Sequence, residues 1–277
     1  MRTLLHLSDI HFGPKHLPAA TAAVEALAGA ARPDVVVVSG DLTQRARPAQ
    51  FRAARAFVER LPAPVVFAPG NHDVPLWRVW ERTLAPFGAW RRNFAPELER
   101  HYADAEIAIV AVTTAFPWTT KHGRLGAGQL AELGRQLAAA PAGAVRVVVA
   151  HHPLVTAEEL GHEPVTANAA RALALLAEHG VELVLSGHLH HGFILPAAAG
   201  APAVVHCGTS TSSRGRGGEA GANTLNWIEI GAAGFAVSRR RFDPARGEFV
   251  EIEARRLARA RPEAGSAAGG GVSSKTP

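Results

Sequence analysis

The chain has 277 residues, 47% hydrophobic and 19% charged, a balance that reads as a soluble globular protein of one domain or two rather than a disordered or fibrous one. The formal charge of +5 is carried almost wholly by arginine, since Lys15, Lys121 and Lys275 are the only lysines, and the basic residues are too scattered for a nucleic-acid footprint. Cys207 is the only cysteine, which excludes an intrachain disulfide and suits a reducing compartment.

In chain order, Thr3–Leu7 reads as a buried strand that runs into Asp9-Ile10-His11. Residues two apart in a continuing strand face the same side, so Asp9 and His11 are expected to reach one ion. Ala19–Ala30 has helical spacing, and Val35–Val38 is the next strand. It ends at Gly40-Asp41, where glycine permits a tight turn and puts the carboxylate at the rim. With two oxygens, Asp41 is the candidate to bridge two ions. After a helical Ala49–Leu61, the strand Val65–Phe67 leads to Gly70-Asn71-His72-Asp73. Asn71 offers a neutral carbonyl oxygen as a ligand. His72 is expected to point towards substrate, and Asp73 to accept a hydrogen bond from its ring and fix the tautomer.

Leu76–Phe94 places Leu76, Val79, Trp80, Leu84, Phe87, Trp90 and Phe94 near helical spacing, with Arg78, Arg82, Arg91 and Arg92 between them. An aromatic-basic lid over the site is one reading. An amphipathic helical pair with its aromatics inward and its arginines in solvent is the favoured one. Further strands are read at Ile107–Val112, Val145–Val149 and Val181–Leu185, with helices at Gly128–Ala139 and Ala167–His179. Val145–Val149 delivers His151-His152, of which His151 is expected to coordinate and His152 to pack. Val181–Leu185 delivers Gly187-His188-Leu189-His190, which repeats the two-apart spacing. This alternation argues for an α/β architecture.

After Val204 the texture changes. Val204–Cys207, Leu225–Ile230, Phe235–Phe242 and Phe249–Ile252 read as strands with Gly-rich or Asp-Pro turns, hence hairpins closing a second sheet. One domain is expected over residues 1–253. Residues 254–277 turn Arg/Ala-rich and then Gly/Ser-rich, and are expected to be a disordered tail whose burial cannot offset its ordering entropy. No apolar run approaches the roughly 20 residues that span a bilayer, and the N-terminal residues lack the pattern of a signal peptide, so a cytoplasmic location is expected.

The clusters add up to two metal sites. Asp9, His11, Asp41 and His190 would make one, and Asp41, Asn71, His151 and His188 the other. Mixed imidazole and carboxylate ligation suits Mn, Fe, Co, Ni or Zn better than Mg or Ca. Two such ions about 3.5–4 Å apart lower the pKa of a shared water and clamp phosphoryl oxygens. Asn71, His72, Thr43, Arg45 and Arg124 are the candidate substrate contacts, and His72 with Asp73 the candidate catalytic pair. His16, His101, His162 and His179 read as surface or capping residues, while His122, His191 and His206 have no assigned task.

Taken in order, Asp-x-His, Gly-Asp, Gly-Asn-His-Asp, His and Gly-His-x-His resemble the calcineurin-like metallophosphoesterases from Met1 to about Ile252. The resemblance implies a four-layer α/β/β/α sandwich of two mixed sheets flanked by helices, and two transition-metal ions such as Mn, Fe, Co or Zn. It also implies in-line attack on phosphorus by a metal-bridging hydroxide, with His72 stabilising the transition state or protonating the leaving alkoxide. Gly208-Thr209-Ser210 with Ser212-Ser213-Arg214, and the short C-terminal strands, are similar to the bacterial class III cyclic nucleotide phosphodiesterases. Asp41 is followed by Leu42-Thr43-Gln44-Arg45, unlike the Asp-Arg-Gly signature of the protein Ser/Thr phosphatases. The expected function is a dinuclear phosphodiesterase for small phosphodiesters such as 3′,5′-cyclic nucleotides. The alternatives are a phosphomonoesterase or glycerophosphodiester hydrolase with the same centre, and a non-catalytic binding scaffold, which the intact ligand set disfavours. The expected partner is a small phosphodiester rather than a nucleic-acid polymer; a homo-oligomer is left open.

Overall fold

The computed structural model describes residues 1–94, 97–157, 165–198 and 200–259. The strands in its first half are β1 (Arg2–Leu7), β2 (Val35–Val38), β3 (Val65–Phe67), β4 (Tyr102–Ala103), β5 (Ile107–Val112) and β6 (Val145–Ala150). Those that follow are β7 (Val181–Ser186), β8 (Phe193–Leu195), β9 (Ala203–His206), β10 (Thr224–Ile230), β11 (Gly234–Asp243) and β12 (Glu248–Ala258). The helices are α1 (Pro18–Ala31), α2 (Pro48–Arg60), α3 (Val79–Leu84), α4 (Gly88–Asn93), α5 (Ala127–Ala138) and α6 (Ala169–Glu178). Proline opens both α1 and α2, where its missing N–H costs nothing.

Two six-stranded mixed sheets result, ordered β12-β11-β10-β1-β2-β3 and β4-β5-β6-β7-β9-β8. The period of two along each strand sorts the side chains into three apolar layers. Leu5 and Leu7 of β1, with Val36 and Val38 of β2, pack outward against Val24 of α1, Phe51 and Phe57 of α2 and Trp90 of α4. Leu4, Val35 and Val37 face the other way and meet Ile107, Ile109, Val147 and Leu183 of the second sheet. Val110, Val148 and Val184 cover that sheet's outer face under Leu133 and Leu137 of α5 and Leu176 of α6. The order is therefore helix, sheet, sheet, helix, the four-layer sandwich expected.

Three details depart from the sequence reading. The C-terminal hairpins do not close the second sheet. β10 lies antiparallel on β1, pairing Leu4 with Ile228, and β11 and β12 extend that same sheet. In this way the otherwise open edge of β1 has its backbone groups paired. Secondly, Ala254–Ala258 belong to β12 rather than to a tail, because buried Leu257 reaches the core between the sheets and pairs opposite Phe235. Residues 260–277 of the expected tail, and His162, lie outside the described residues.

Thirdly, Leu76–Phe94 splits into unlike halves. α4 does pack inward, with Trp90 in edge or tilted contact with Phe51, Phe67 and Phe94. α3 is inverted: Trp80 and Leu84 are 80% and 79% exposed, and neighbouring Trp77 is 78% exposed. Its arginines hold it instead, through Arg78 to the Ala46 carbonyl and Arg82 to the carbonyls of Pro75 and Thr119. The short strands β4 and β8, each at a sheet edge, carry too few residues for a periodicity to be read.

Candidate metal centre

All five polar clusters leave the carboxyl ends of parallel strands: β1, β2 and β3 of one sheet, β6 and β7 of the other. Both sheets therefore deliver their loops to one rim, where ligands gather in α/β folds. Adjacent loops are stitched together by backbone bonds from Asp9 to the Gly40 carbonyl (3.2 Å), from His11 to the Asp41 carbonyl (2.9 Å) and from Gly187 to the His151 carbonyl (3.0 Å).

The way Asp9 and His11 reach the site is not the one expected. β1 ends at Leu7, and both residues adopt left-handed backbone, with φ of 51° and 52°. Asp41, His188 and His190 do the same at 53°, 81° and 59°. Thus five of the eight non-glycine residues with positive φ among those described are residues of this cluster. Each such conformation costs on the order of 1–3 kcal/mol and persists only where its surroundings impose it. Gly187 serves close approach rather than turning: a Cβ there would collide with Ser8 Oγ and lie 2.7 Å from Asp9 Oδ2.

Each carboxylate divides its labour. Asp9 Oδ2 accepts from Ser8 Oγ (2.7 Å) and from the His188 backbone N–H (2.9 Å). Asp41 Oδ1 accepts from the His72 backbone N–H (2.8 Å). Their other oxygens, Asp9 Oδ1 and Asp41 Oδ2, are buried without a hydrogen-bond partner among the described residues, as is His11 Nε2. These orphaned atoms converge. Asp9 Oδ1 is 3.4 Å from His11 Nε2 and 3.5 Å from His190 Nε2. Asp41 Oδ2 lies between the two groups, 3.7 Å from His11 Nε2 and 3.4 Å from His151 Nε2. Asn71 Oδ1 completes the second group at 3.2 Å from His151 Nε2 and 3.0 Å from His188 Nδ1.

Ligand atoms bonded to one ion at about 2.1 Å stand about 3.0–3.5 Å apart, so most of these separations suit shared ions. Buried acceptors left bare would otherwise cost several kcal/mol. The donor set fits two cations. Ring orientation agrees with this: His151 Nδ1–H donates to the Ser39 carbonyl (2.7 Å), which aims Nε2 at Asp41. His152 instead bonds Thr114 Oγ1 through Nδ1 (2.8 Å).

Electrostatics follow the geometry. Burial would raise Asp9, but the rings of His190, His11 and His151 outweigh it and hold the carboxyl well below its usual range. Burial likewise opposes His151, His72 and His11 at Asp41, and the rings again prevail. Burial lowers His151, yet the charges of Asp41 and Asp9 lift it to about 9. His188 and His190 are pushed down to about 3, chiefly by burial and then by neighbouring rings. A carboxylate pair that holds its charge beside the neutral rings of His188 and His190, with the one raised ring, His151, itself drawn up by those carboxylates, is a receptor for positive charge.

His72 stands beside this cluster, its ring edge-on to His11 at 4.9 Å. Asp73 does not orient it. The Asp73 carboxylate is saturated by the backbone N–H groups of Leu42, Thr43 and Gly70 and by Thr43 Oγ1, at 2.8–3.2 Å. Burial and then the charge of Asp41 push it up to about 7 against those donors. The His72 tautomer is set instead by a backbone carbonyl, with Nδ1 2.8 Å from Gln44 O, which leaves Nε2 as an acceptor, faced by Arg214 Nη2. Burial, with His11 and Arg214, lowers His72 to about 4 despite Asp41, so the ring is neutral.

Of Thr43, Arg45 and Arg124, only Arg45 reaches the His72 ring, its Nη1 3.0 Å from His72 Nδ1 and bonded to the Gln44 carbonyl. Thr43 is fully buried, and its hydroxyl binds Asp73, the His72 carbonyl and the Ala46 N–H. Arg124 is exposed and lies over the Phe116 ring. Thr43 is thereby committed to holding the loops together rather than to a ligand. The sequence reading assigned no task to Arg214, whose Nη2 is 3.3 Å from His72 Nε2. No spacing signal could have found it, because its loop is brought in by contacts with residues some 200 positions away. His16 and His101 have local structural partners, Thr21 Oγ1 and the Ala111 N–H. Among the described residues no helix is long and apolar enough to cross a membrane.

Residues 2–192 match the family model of the calcineurin-like phosphoesterases. A cAMP/cGMP dual specificity phosphodiesterase of Mycobacterium tuberculosis is 30% identical over 204 residues, 68% of this chain and 61% of that protein. A glycerophosphodiester phosphodiesterase of Enterobacter lignolyticus is 29% identical over 207 residues, 68% of this chain and 70% of its own. The match thus spans about three fifths of the mycobacterial relative. The solved purple acid phosphatase of yellow lupin seeds superposes with a TM-score of 0.69 at 14% identity, over 93% of this chain and 53% of that one, a likeness of fold.

Proposed function

The chain belongs to the calcineurin-like phosphoesterases, and from that premise we propose that it is a phosphoric ester hydrolase, a dinuclear metal-dependent phosphodiesterase acting on small phosphodiesters, 3′,5′-cyclic nucleotides among them. The observation that carries the proposal is the convergence of Asp9 Oδ1, Asp41 Oδ2 and His11 Nε2, buried and unpartnered, on one small volume. Asp9, His11, Asp41 and His190 would hold one ion, and Asp41, Asn71, His151 and His188 the other, with Mn, Fe, Co and Zn as the candidates. When bound, the pair supplies a water of lowered pKa and neutralises charge on the phosphoryl group.

The protein's own groups do the rest. Asp41 reaches both ligand groups through Oδ2 alone, because Oδ1 is spent on the His72 backbone; the bridge and the position of His72 are therefore mechanically linked. His72 holds its proton at Nδ1 against Gln44 O, so Nε2 presents a lone pair to the substrate side, and protonating a departing alkoxide from that atom requires the ring first to take up a second proton there. The names of the mycobacterial and enterobacterial relatives support a diester over a monoester, and the latter supports glycerophosphodiesters as a second substrate class.

The test compares turnover of bis(p-nitrophenyl) phosphate, p-nitrophenyl phosphate, cyclic AMP and a glycerophosphodiester on protein loaded in turn with Mn, Fe, Co and Zn. Preference for a diester is expected, and His72→Ala should keep its metal while losing about 10²-fold or more in turnover. Clear preference for the monoester would refute the diesterase reading.

A further inference from the structure

Arg214 is a half-buried guanidinium that forms no ion pair with a carboxylate among the described residues. The buried acid on its own loop, Glu219, is already engaged by Arg239 and by Thr224 Oγ1. What Arg214 touches is the catalytic candidate, through Nη2 and His72 Nε2 at 3.3 Å. Arg45 occupies the other edge of the same ring, near Nδ1. Two cations therefore flank a neutral imidazole, with most of their N–H groups unspent.

The placement is not loose. The loop from Gly208 to Arg216 is tied along its length to the loop that carries Asp9 and His11. Thr209 Oγ1 donates to the Asp9 carbonyl (2.7 Å), Thr211 Oγ1 to the Ile10 carbonyl (2.9 Å), and the Ser210 backbone to the Ser8 carbonyl (2.9 Å). Beyond them Ser213 N bonds Lys15 O and Arg216 N bonds His190 O, so Arg214 is clamped on both sides. Removing a guanidinium from water without a counter-charge is unfavourable. Asp9 and Asp41 attract it from a distance, but those carboxylates are neutralised once the site holds its cations. The counter-charge still wanting is then an anion brought by the ligand.

We propose that Arg214, assisted by Arg45, is the protein's grip on the non-bridging oxygens of the substrate phosphate beside His72. The guanidinium fork matches two phosphate oxygens at once, which a lysine cannot do. The inference rests on the hydrolase reading for the identity of the substrate, but its binding step can be measured apart from turnover.

The experiment uses manganese-loaded protein and inorganic phosphate as the probe, by calorimetry and by inhibition of bis(p-nitrophenyl) phosphate turnover. Arg214→Ala is expected to weaken phosphate binding and to raise KM about ten- to a hundredfold at unchanged metal content. Arg214→Lys should recover part of the loss, and free guanidinium ion should restore affinity to Arg214→Ala. Wild-type phosphate affinity and KM in both variants would overturn the proposal. So would loss of metal from Arg214→Lys, the milder change, which would mark the residue as structural. A wild-type protein that binds phosphate but turns over no ester defeats the hydrolase reading alone, and the variants' phosphate affinities then decide the proposal.

Discussion

Asp73→Asn separates two roles for a residue that sequence reasoning placed beside the His72 ring. In the structure its four accepted hydrogen bonds pin the Leu42–Thr43 and Gly70 backbones together, the segments that carry Asp41, Asn71 and His72. Asparagine keeps one acceptor oxygen and turns an NH₂ towards the other pair of donors. With the amide oxygen at the Oδ1 position, the N–H groups of Leu42 and Gly70 are left buried and unpaired. Each orphaned donor costs about 1–3 kcal/mol, so the change should cost about 2–6 kcal/mol. That is a large share of the 5–15 kcal/mol typical of folded domains. At about 2–4 °C per kcal/mol, the melting temperature should fall by roughly 4–24 °C.

The assay is calorimetric melting of metal-free protein at about pH 8, alongside metal content and turnover of the reloaded enzyme; there Asp73 is ionised, a form that its raised pKa shows the fold to disfavour, so the loss is expected towards the lower end of that range. Metal-free protein matters, because bound ions would mask a loosened loop by mass action. If Asp73 instead acted by orienting His72, stability would hardly change and only turnover would fall. Melting within about 1 °C of the wild type, with turnover lost, would refute the loop-pinning role.

Three further outcomes are expected. Gly187→Ala puts a Cβ into Ser8 Oγ and against Asp9 Oδ2, so metal titration should show at least about tenfold weaker binding, whereas wild-type affinity would mean that the ligand loop yields freely. Chelation should lower the melting temperature, since ions held at about 100 Kd contribute about 2.7 kcal/mol per site; an unchanged melting point after verified metal removal would show that the buried carboxylates find other partners. Acid should destabilise the metal-free protein through His6 and His206, which burial pushes down to about 3 and well below the usual range respectively. Between about pH 6.5 and 3 the unfolded chain takes up protons that these folded residues refuse, so their contribution is complete above pH 6.5 and is lost as pH falls. His206→Asn should flatten that slope, and equal slopes would count against it.

Which parts of the centre were legible depends on where each determinant resides. The convergence of the candidate ligands could be anticipated because metal chemistry selects side-chain types, and Asp9, His11, Asp41, Asn71, His151, His188 and His190 each sit within a few residues of a strand end. The layer order could be read because β-branched runs and helical spacings are local. The means by which ligands converge could not, since left-handed backbone at Asp9, His11, Asp41, His188 and His190 violates the local preference of those residues. Nor could the His72 tautomer, because the backbone carbonyl of Gln44 sets it, and a carbonyl is present at every position. The assignment of Asp73 failed for a related reason: adjacency in sequence suggested a partner that the three-residue 3₁₀ turn Asn71–Asp73 turns elsewhere. These failures share a cause. Every one concerns a bond between loops from different strands, and such bonds are also what hold the strained residues in place. Asp9 and His11 lean on the carbonyls of Gly40 and Asp41, and Asp41 Oδ1 accepts the His72 N–H, so the strain at one loop is borne by its neighbour. Contacts of this kind between loops bring the candidate ligand atoms to separations that suit a shared ion.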